Sequence, residues 1–168
     1  MSADPRGSLT VRCATPADVP LVLSFIRELA VYEQLQDQVV ASQTDLARAL
    51  FGTPRYAEVV FACSDGEALG FALFFHNFST FLGKPGIYLE DLFVRPQARG
   101  RGLGRVLLAH LARTALERGC ERLDWAVLDW NAPSIGFYRS LGAAALDDWT
   151  TFRLSGAPLE RLATEPGG

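Results

Sequence analysis

Arg95-Pro96-Gln97-Ala98-Arg99-Gly100-Arg101-Gly102-Leu103-Gly104-Arg105 stands between an apolar run, Ile87 to Val94, and a segment with Val106, Leu107, Leu111 and Ala115 at helical spacing. Such a stretch predicts a strand, a tight turn and a helix start. Glycine lets backbone N–H groups turn toward one point, and the first helical turn adds unpaired N–H groups and the positive end of the helix dipole. The result is an anion cradle that suits a pyrophosphate. Four arginines and no acid within the eleven residues reinforce it. No Gly-Lys-Ser/Thr follows, so the loop is not a P-loop. A dinucleotide fingerprint starting at Gly100 would need a third glycine where Arg105 stands. An anion other than ATP or NAD is expected.

Upstream, Leu9 to Cys13 predicts a strand, and Thr15-Pro16-Ala17-Asp18 a helix start, with Thr15 as cap and Pro16 at the first helical position. That helix runs to about Gln34, with Val19, Val22, Leu23, Ile26, Leu29 and Ala30 on one face. A second helix, Thr44 to Phe51, stops at Gly52-Thr53-Pro54. Ala57 to Cys63 and Ala68 to Phe75 predict antiparallel strands joined at Asp65-Gly66. Downstream, a strand is expected over Leu123 to Leu128, a helix from Ala132 to Leu141, and a closing strand over Thr150 to Leu154. Strands clustered early and strand–helix alternation late predict an α/β fold, a mixed sheet with helices on both faces.

Composition agrees with a packed core. Of 168 residues, 49% are hydrophobic and the formal charge is −3, which fits one domain over 9–155 with a disordered N-terminus, 1–8, and a flexible tail, 156–168. An acidic chain lacks the basic excess that nucleic-acid binding requires, so no nucleic-acid partner is expected. Cys13, Cys63 and Cys120 lie far apart, without the pairing of a metal or redox site. No metal is expected, and the setting predicted is reducing and cytoplasmic. Neither a signal peptide nor a membrane-spanning run is visible, so no membrane partner is expected.

Arg99-Gly-Arg-Gly-Leu-Gly104 after Leu92-Phe93-Val94, followed by Asn131-Ala-Pro-Ser134-Ile-Gly-Phe-Tyr138, resembles the GNAT superfamily of acyl-CoA-dependent N-acyltransferases. Ile26 to Glu33, Tyr88 to Val94 and Asp129-Trp130-Asn131 are similar to its diamine (spermidine/spermine) N-acetyltransferase branch. The resemblance spans Leu9 to Leu154 and implies a central, mostly antiparallel sheet, acetyl-CoA as cosubstrate and a homodimer. It also implies that the backbone of Leu92, Phe93 and Val94 holds the pantetheine arm, and that Arg99, Gly100, Arg101, Gly102, Leu103, Gly104 and Arg105 hold the pyrophosphate. Asn131 and Ser134 would contact the cofactor near its reactive end. Tyr138 would protonate the departing thiolate, a role the chemistry requires of some donor near the sulfur.

The acceptor implied is a small primary amine, cationic at neutral pH because an alkylammonium has a pKa of about 10. Glu90 is the expected proton acceptor, directly or through water, while Asp91, Tyr32, Glu33 and Trp125 are expected to line the amine site. Neighbouring residues of a regular strand point to opposite faces, so Glu90 and Asp91 can share a pocket only across a bulge. Ser79 and Phe81 stand where the polyamine enzymes carry an acid and a Trp, which weakens binding of a long polycation and adds a shorter amine, or a lysine-like or thialysine-like compound, to the diamines and polyamines as expected acceptors. Acetylation of protein lysines or N-termini is the rival activity, and a non-catalytic acyl-CoA-binding module the rival class.

Overall fold

The computed structural model describes residues 8–165, and the chain divides into two compact units, 1–126 and 127–168. All but Ser8 of the expected disordered N-terminus lies outside the described residues. In the first unit, β1 (Leu9–Cys13), β2 (Glu58–Ser64), β3 (Glu67–Ser79), β4 (Lys84–Val94) and β5 (Leu123–Trp125) form one sheet in that order. The first three pairings are antiparallel and β5 runs parallel to β4. The expected mixed, mostly antiparallel sheet is present. Asp65 and Gly66 both have positive φ, 51° and 84°, the backbone twist that a two-residue hairpin needs.

Helices cover both faces of this sheet. From α1 (Val19–Tyr32) and α2 (Gln43–Phe51), Val22, Phe25, Leu29 and Leu50 pack on Val59, Phe61, Phe71 and Phe93. Phe25 stacks on Phe71 with ring centroids 5.1 Å apart. The alternate strand residues Val60, Ala72, Phe74 and Leu89 are also buried, and the α3 side (Leu103–Glu117) covers that face, where Arg118 lies over the Phe74 ring. Burying two faces explains the near-continuous apolar runs of β2 and β3. The start of α1 is tied down by Asp18, whose carboxylate accepts from the Thr15 N–H at 2.8 Å and from both terminal nitrogens of Arg12 at 2.8 Å.

Several expected boundaries move. A 3-10 turn, Pro16–Asp18, precedes α1, which ends at Tyr32 rather than Gln34. Strand β5 stops at Trp125, three residues short of Leu128. The second unit contains α4 (Ala132–Ser140) and α5 (Ala157–Ala163). The closing strand expected over Thr150 to Leu154 does not form: among the described residues no strand pairs with it, and all five of its residues are exposed. A strand without a ladder leaves its backbone groups to water. Within the segment expected to be a flexible tail, residues 157–163 are helical.

Candidate active site

Strand β4 positions the two acids through an irregularity in its pairing with β3. Asp91 lies opposite Leu73 and Leu89 opposite Phe74, so Glu90 is one residue too many for the partner strand. A bulge shifts the alternation by one residue. Counting back from Phe93, which packs under α1, Asp91 faces α1. Counting forward from Leu89, on the α3 face, Glu90 points to the α1 face as well. Both carboxyls therefore share one side of the sheet, as only a bulge allows. Glu33, the residue after α1, adds a third: Asp91 is pushed up to about 6 by burial and by the negative charges of Glu90 and Glu33. Burial also raises Glu33. Glu90 is exposed. Tyr32, the last residue of α1, meets Phe93 with centroids 6.4 Å apart.

Beyond this cluster, within the first unit and among the described residues, no strand pairs with the outer edge of β4, which is open there. Its pairing with β5 stops at Leu89 and Trp125, and the half-buried Trp125 marks the place where strand pairing ends. The N–H of Arg95 donates to the Leu69 carbonyl on β3; in a trans peptide the Val94 carbonyl then points the other way, to the open edge. By the period of two, Leu92 turns the same way. Phe93 turns its backbone to Phe71 on β3 and its side chain into the core, so of the three residues expected to hold a pantetheine arm by their backbone, Leu92 and Val94 are oriented for it and Phe93 is not.

The glycine-rich turn leads from this edge into α3. Gly100 and Gly102 have φ of 75° and 88°, a region costly for other residues, and a Cβ on either would meet no atom within 4 Å. No side chain caps α3, which leaves the N–H groups of Leu103, Gly104 and Arg105 available to an anion. The arginines divide their roles. Arg101 donates to Ser64 Oγ at 2.7 Å. Arg99 donates from Nε to the Val94 carbonyl at 3.1 Å and lies 4.5 Å over the Tyr32 ring. An open cradle of N–H groups beside an open strand edge fits a pyrophosphate with a peptide-like arm attached.

In the second unit, Asn131 is buried and caps α4, its side-chain oxygen accepting from the Ser134 N–H at 3.3 Å. Tyr138 is half-buried two turns along and touches Phe137, centroids 5.5 Å apart.

Residues 25–143 match the model of the acetyltransferase (GNAT) family. The chain belongs to that family. Among its relatives, this acetyltransferase is 39% identical to a thialysine N-epsilon-acetyltransferase of Bos taurus, over 91% of this chain and 96% of the other. It is 32% identical to an L-ornithine N5-acetyltransferase of Arabidopsis thaliana, over 90% and 86%. An integron cassette protein from the mobile metagenome of V. cholerae superposes with a TM-score of 0.79 at 30% identity, covering 94% of this chain and 99% of that one.

One supporting contact of the acetyltransferase has no sequence signature. Arg95 grips Glu28 with two hydrogen bonds of 2.9 Å and lies 4.5 Å over the Phe25 ring. The pair ties the middle of α1 to the end of β4, between the elements that carry Glu33 and Asp91. At the β3–β4 turn, Ser79 is buried and its hydroxyl accepts from the Leu82 N–H at 3.3 Å, whereas Phe81 is exposed. Among the described residues no group of His, Cys, Asp and Glu is arranged to hold a metal, and no helix is long and apolar enough to cross a membrane.

Proposed function

We propose that the protein transfers the acetyl group of acetyl-CoA to the terminal amine of a small, lysine- or ornithine-like substrate by direct attack. The observation that carries this reading is the gathering of Glu33, Glu90 and Asp91 on one face of the sheet, next to the open edge of β4. Three carboxyls attract an alkylammonium and disfavour an anionic acceptor. The names of the relatives support an amine of this class. Leu92 and Val94 offer backbone groups to the pantetheine arm, and residues 99–105 offer N–H groups and arginines to the pyrophosphate. Acetyl-CoA supplies an activated acyl carbon. Asn131 and Ser134 at the start of α4 contact the cofactor, and Tyr138 protonates the departing thiolate, as the resemblance implies.

The absence of an acid at Ser79 and of a Trp at Phe81 supports a short acceptor over a long polyamine. The resemblance also implies a homodimer, which sedimentation measures, and three free cysteines, two of them buried, suit a reducing cytoplasm. CoA release is to be followed with lysine, thialysine, ornithine, diamines and polyamines. Turnover of the amino-acid amines is the expected outcome, and no release with any amine removes the reading.

A further inference from the structure

We propose that Asp91, rather than Glu90, takes the proton from the incoming ammonium. This rests on the proposed amine acetylation and reverses the roles that the resemblance gives to the two acids. The bulge is the geometric reason. Glu90 is the residue without a cross-strand partner and is exposed, whereas Asp91 is held in the ladder opposite Leu73 and turned beneath the α1 side.

The charged surroundings of Asp91 are one-sided. Glu33 faces it from the end of α1 and Glu90 from β4, and its β3 neighbour, Leu73, is apolar. Arg99, from the glycine-rich turn, is engaged with Tyr32, Phe93 and Val94. Five other acids of this unit have basic partners: Asp18 pairs with Arg12, Glu28 with Arg95, Glu58 with Arg118, Glu121 with Lys84 and Asp124 with Arg122. Among the described residues no basic side chain pairs with Asp91. A half-buried carboxylate without a cation is costly in a stable fold and suits a site that receives one.

Chemistry favours the same residue. An acceptor removes a proton from an ammonium more readily the closer its own pKa lies to that of the amine, and Asp91 is raised to about 6. One ammonium proton moves to an Asp91 carboxylate oxygen and then to solvent. The freed nitrogen lone pair forms the C–N bond at the thioester carbon, the C–S bond breaks with its electrons on sulfur, and a second nitrogen proton replaces the one that Tyr138 gives to the thiolate.

The test is kcat/KM against pH for the unaltered protein, Asp91→Asn, Glu90→Gln and Glu33→Gln, with acetyl-CoA affinity measured for each by calorimetry. The expected profile falls below about pH 6. Asp91→Asn should lose about a hundredfold or more in kcat/KM with acetyl-CoA affinity kept within about threefold. Removing a neighbouring charge with Glu90→Gln or Glu33→Gln should move the acid limb to lower pH and raise KM for the amine, with kcat reduced far less than in Asp91→Asn. A limb that stays in place in both neighbour variants, or an Asp91→Asn protein with ordinary turnover, overturns the assignment. Loss of the limb with Glu90→Gln alone returns the role to Glu90. Should the unaltered protein turn over no amine, the proposed activity fails and the assignment with it.

Discussion

Arg99 lies over Tyr32, its guanidinium carbon 4.5 Å from the ring centroid, so the glycine-rich turn rests on the last residue of the helix that borders the acidic face. In this position its Nε also occupies the Val94 carbonyl at the open edge of β4. An arginine used for a pyrophosphate has to exchange these contacts for charge-assisted ones, which are the stronger. Arg99→Ala is therefore expected to weaken acetyl-CoA binding by about 2 kcal/mol, roughly thirtyfold, while thermal stability stays within about 1 kcal/mol of the unaltered protein. Calorimetry and a melting curve measure the two; undiminished affinity would remove Arg99 from the cradle.

Asp91 also makes a stability prediction. Its carboxyl is raised to about 6 in the folded protein, so folding favours the protonated form. The associated cost is absent below the unfolded carboxylate pKa of about 4, grows as pH rises, and is complete above the folded value. Asp91→Asn should consequently stabilise the protein at pH 7.5 by about 1–3 kcal/mol and lose that advantage near pH 4. Urea midpoints at the two pH values decide it, and an equal difference at both would contradict a titration origin.

Tyr138 is expected to act on the chemical step. Tyr138→Phe keeps the ring and its contact with Phe137 but removes the proton donor. The expected effect is a fall in kcat of about a hundredfold, with acetyl-CoA affinity changed far less. An unchanged kcat excludes Tyr138 as the acid.

The Glu28–Arg95 pair should behave as a partly buried ion pair. Removing Arg95 alone leaves a carboxylate in a place shaped for two hydrogen bonds, at a cost of about 2–3 kcal/mol. The double variant Glu28→Ala with Arg95→Ala should cost less than the two single changes added together. Because Arg95 lowers the Glu28 carboxyl, the contribution is present above the unfolded carboxylate pKa and lost as pH falls through the folded one. Denaturant titrations of the three variants at neutral and acidic pH follow this.

Much of the fold was legible because its signals are local. Asp65-Gly66 marks the hairpin by the positive φ that both residues adopt, and the spacing of Val19, Val22, Leu29 and Ala30 marks the buried face of α1. Residues 99–105 announce a strand–turn–helix cradle since glycine conformation and helix-end N–H groups belong to the segment itself. Thr150 to Leu154 shows the limit of such reading. Residue type suggests a strand there, but a strand needs a partner edge, and among the described residues none is paired with it.

Sequence by itself determined the order of the main elements, the glycine-rich strand–turn–helix and the family to which its motifs belong, all of which depend on residue type and short-range spacing. Tertiary structure decided which groups meet. The bulge at Glu90 follows from the register between β3 and β4, and it alone turns Glu90 and Asp91 to one face; Glu28 finds Arg95, and Tyr32 finds Arg99, across 67 residues in each case. The raised carboxyl of Asp91 has the same origin, since burial and the charge of Glu33 come from a helix laid over the strand. Electrostatic and packing terms depend on distance in space, and only the folded chain sets those distances.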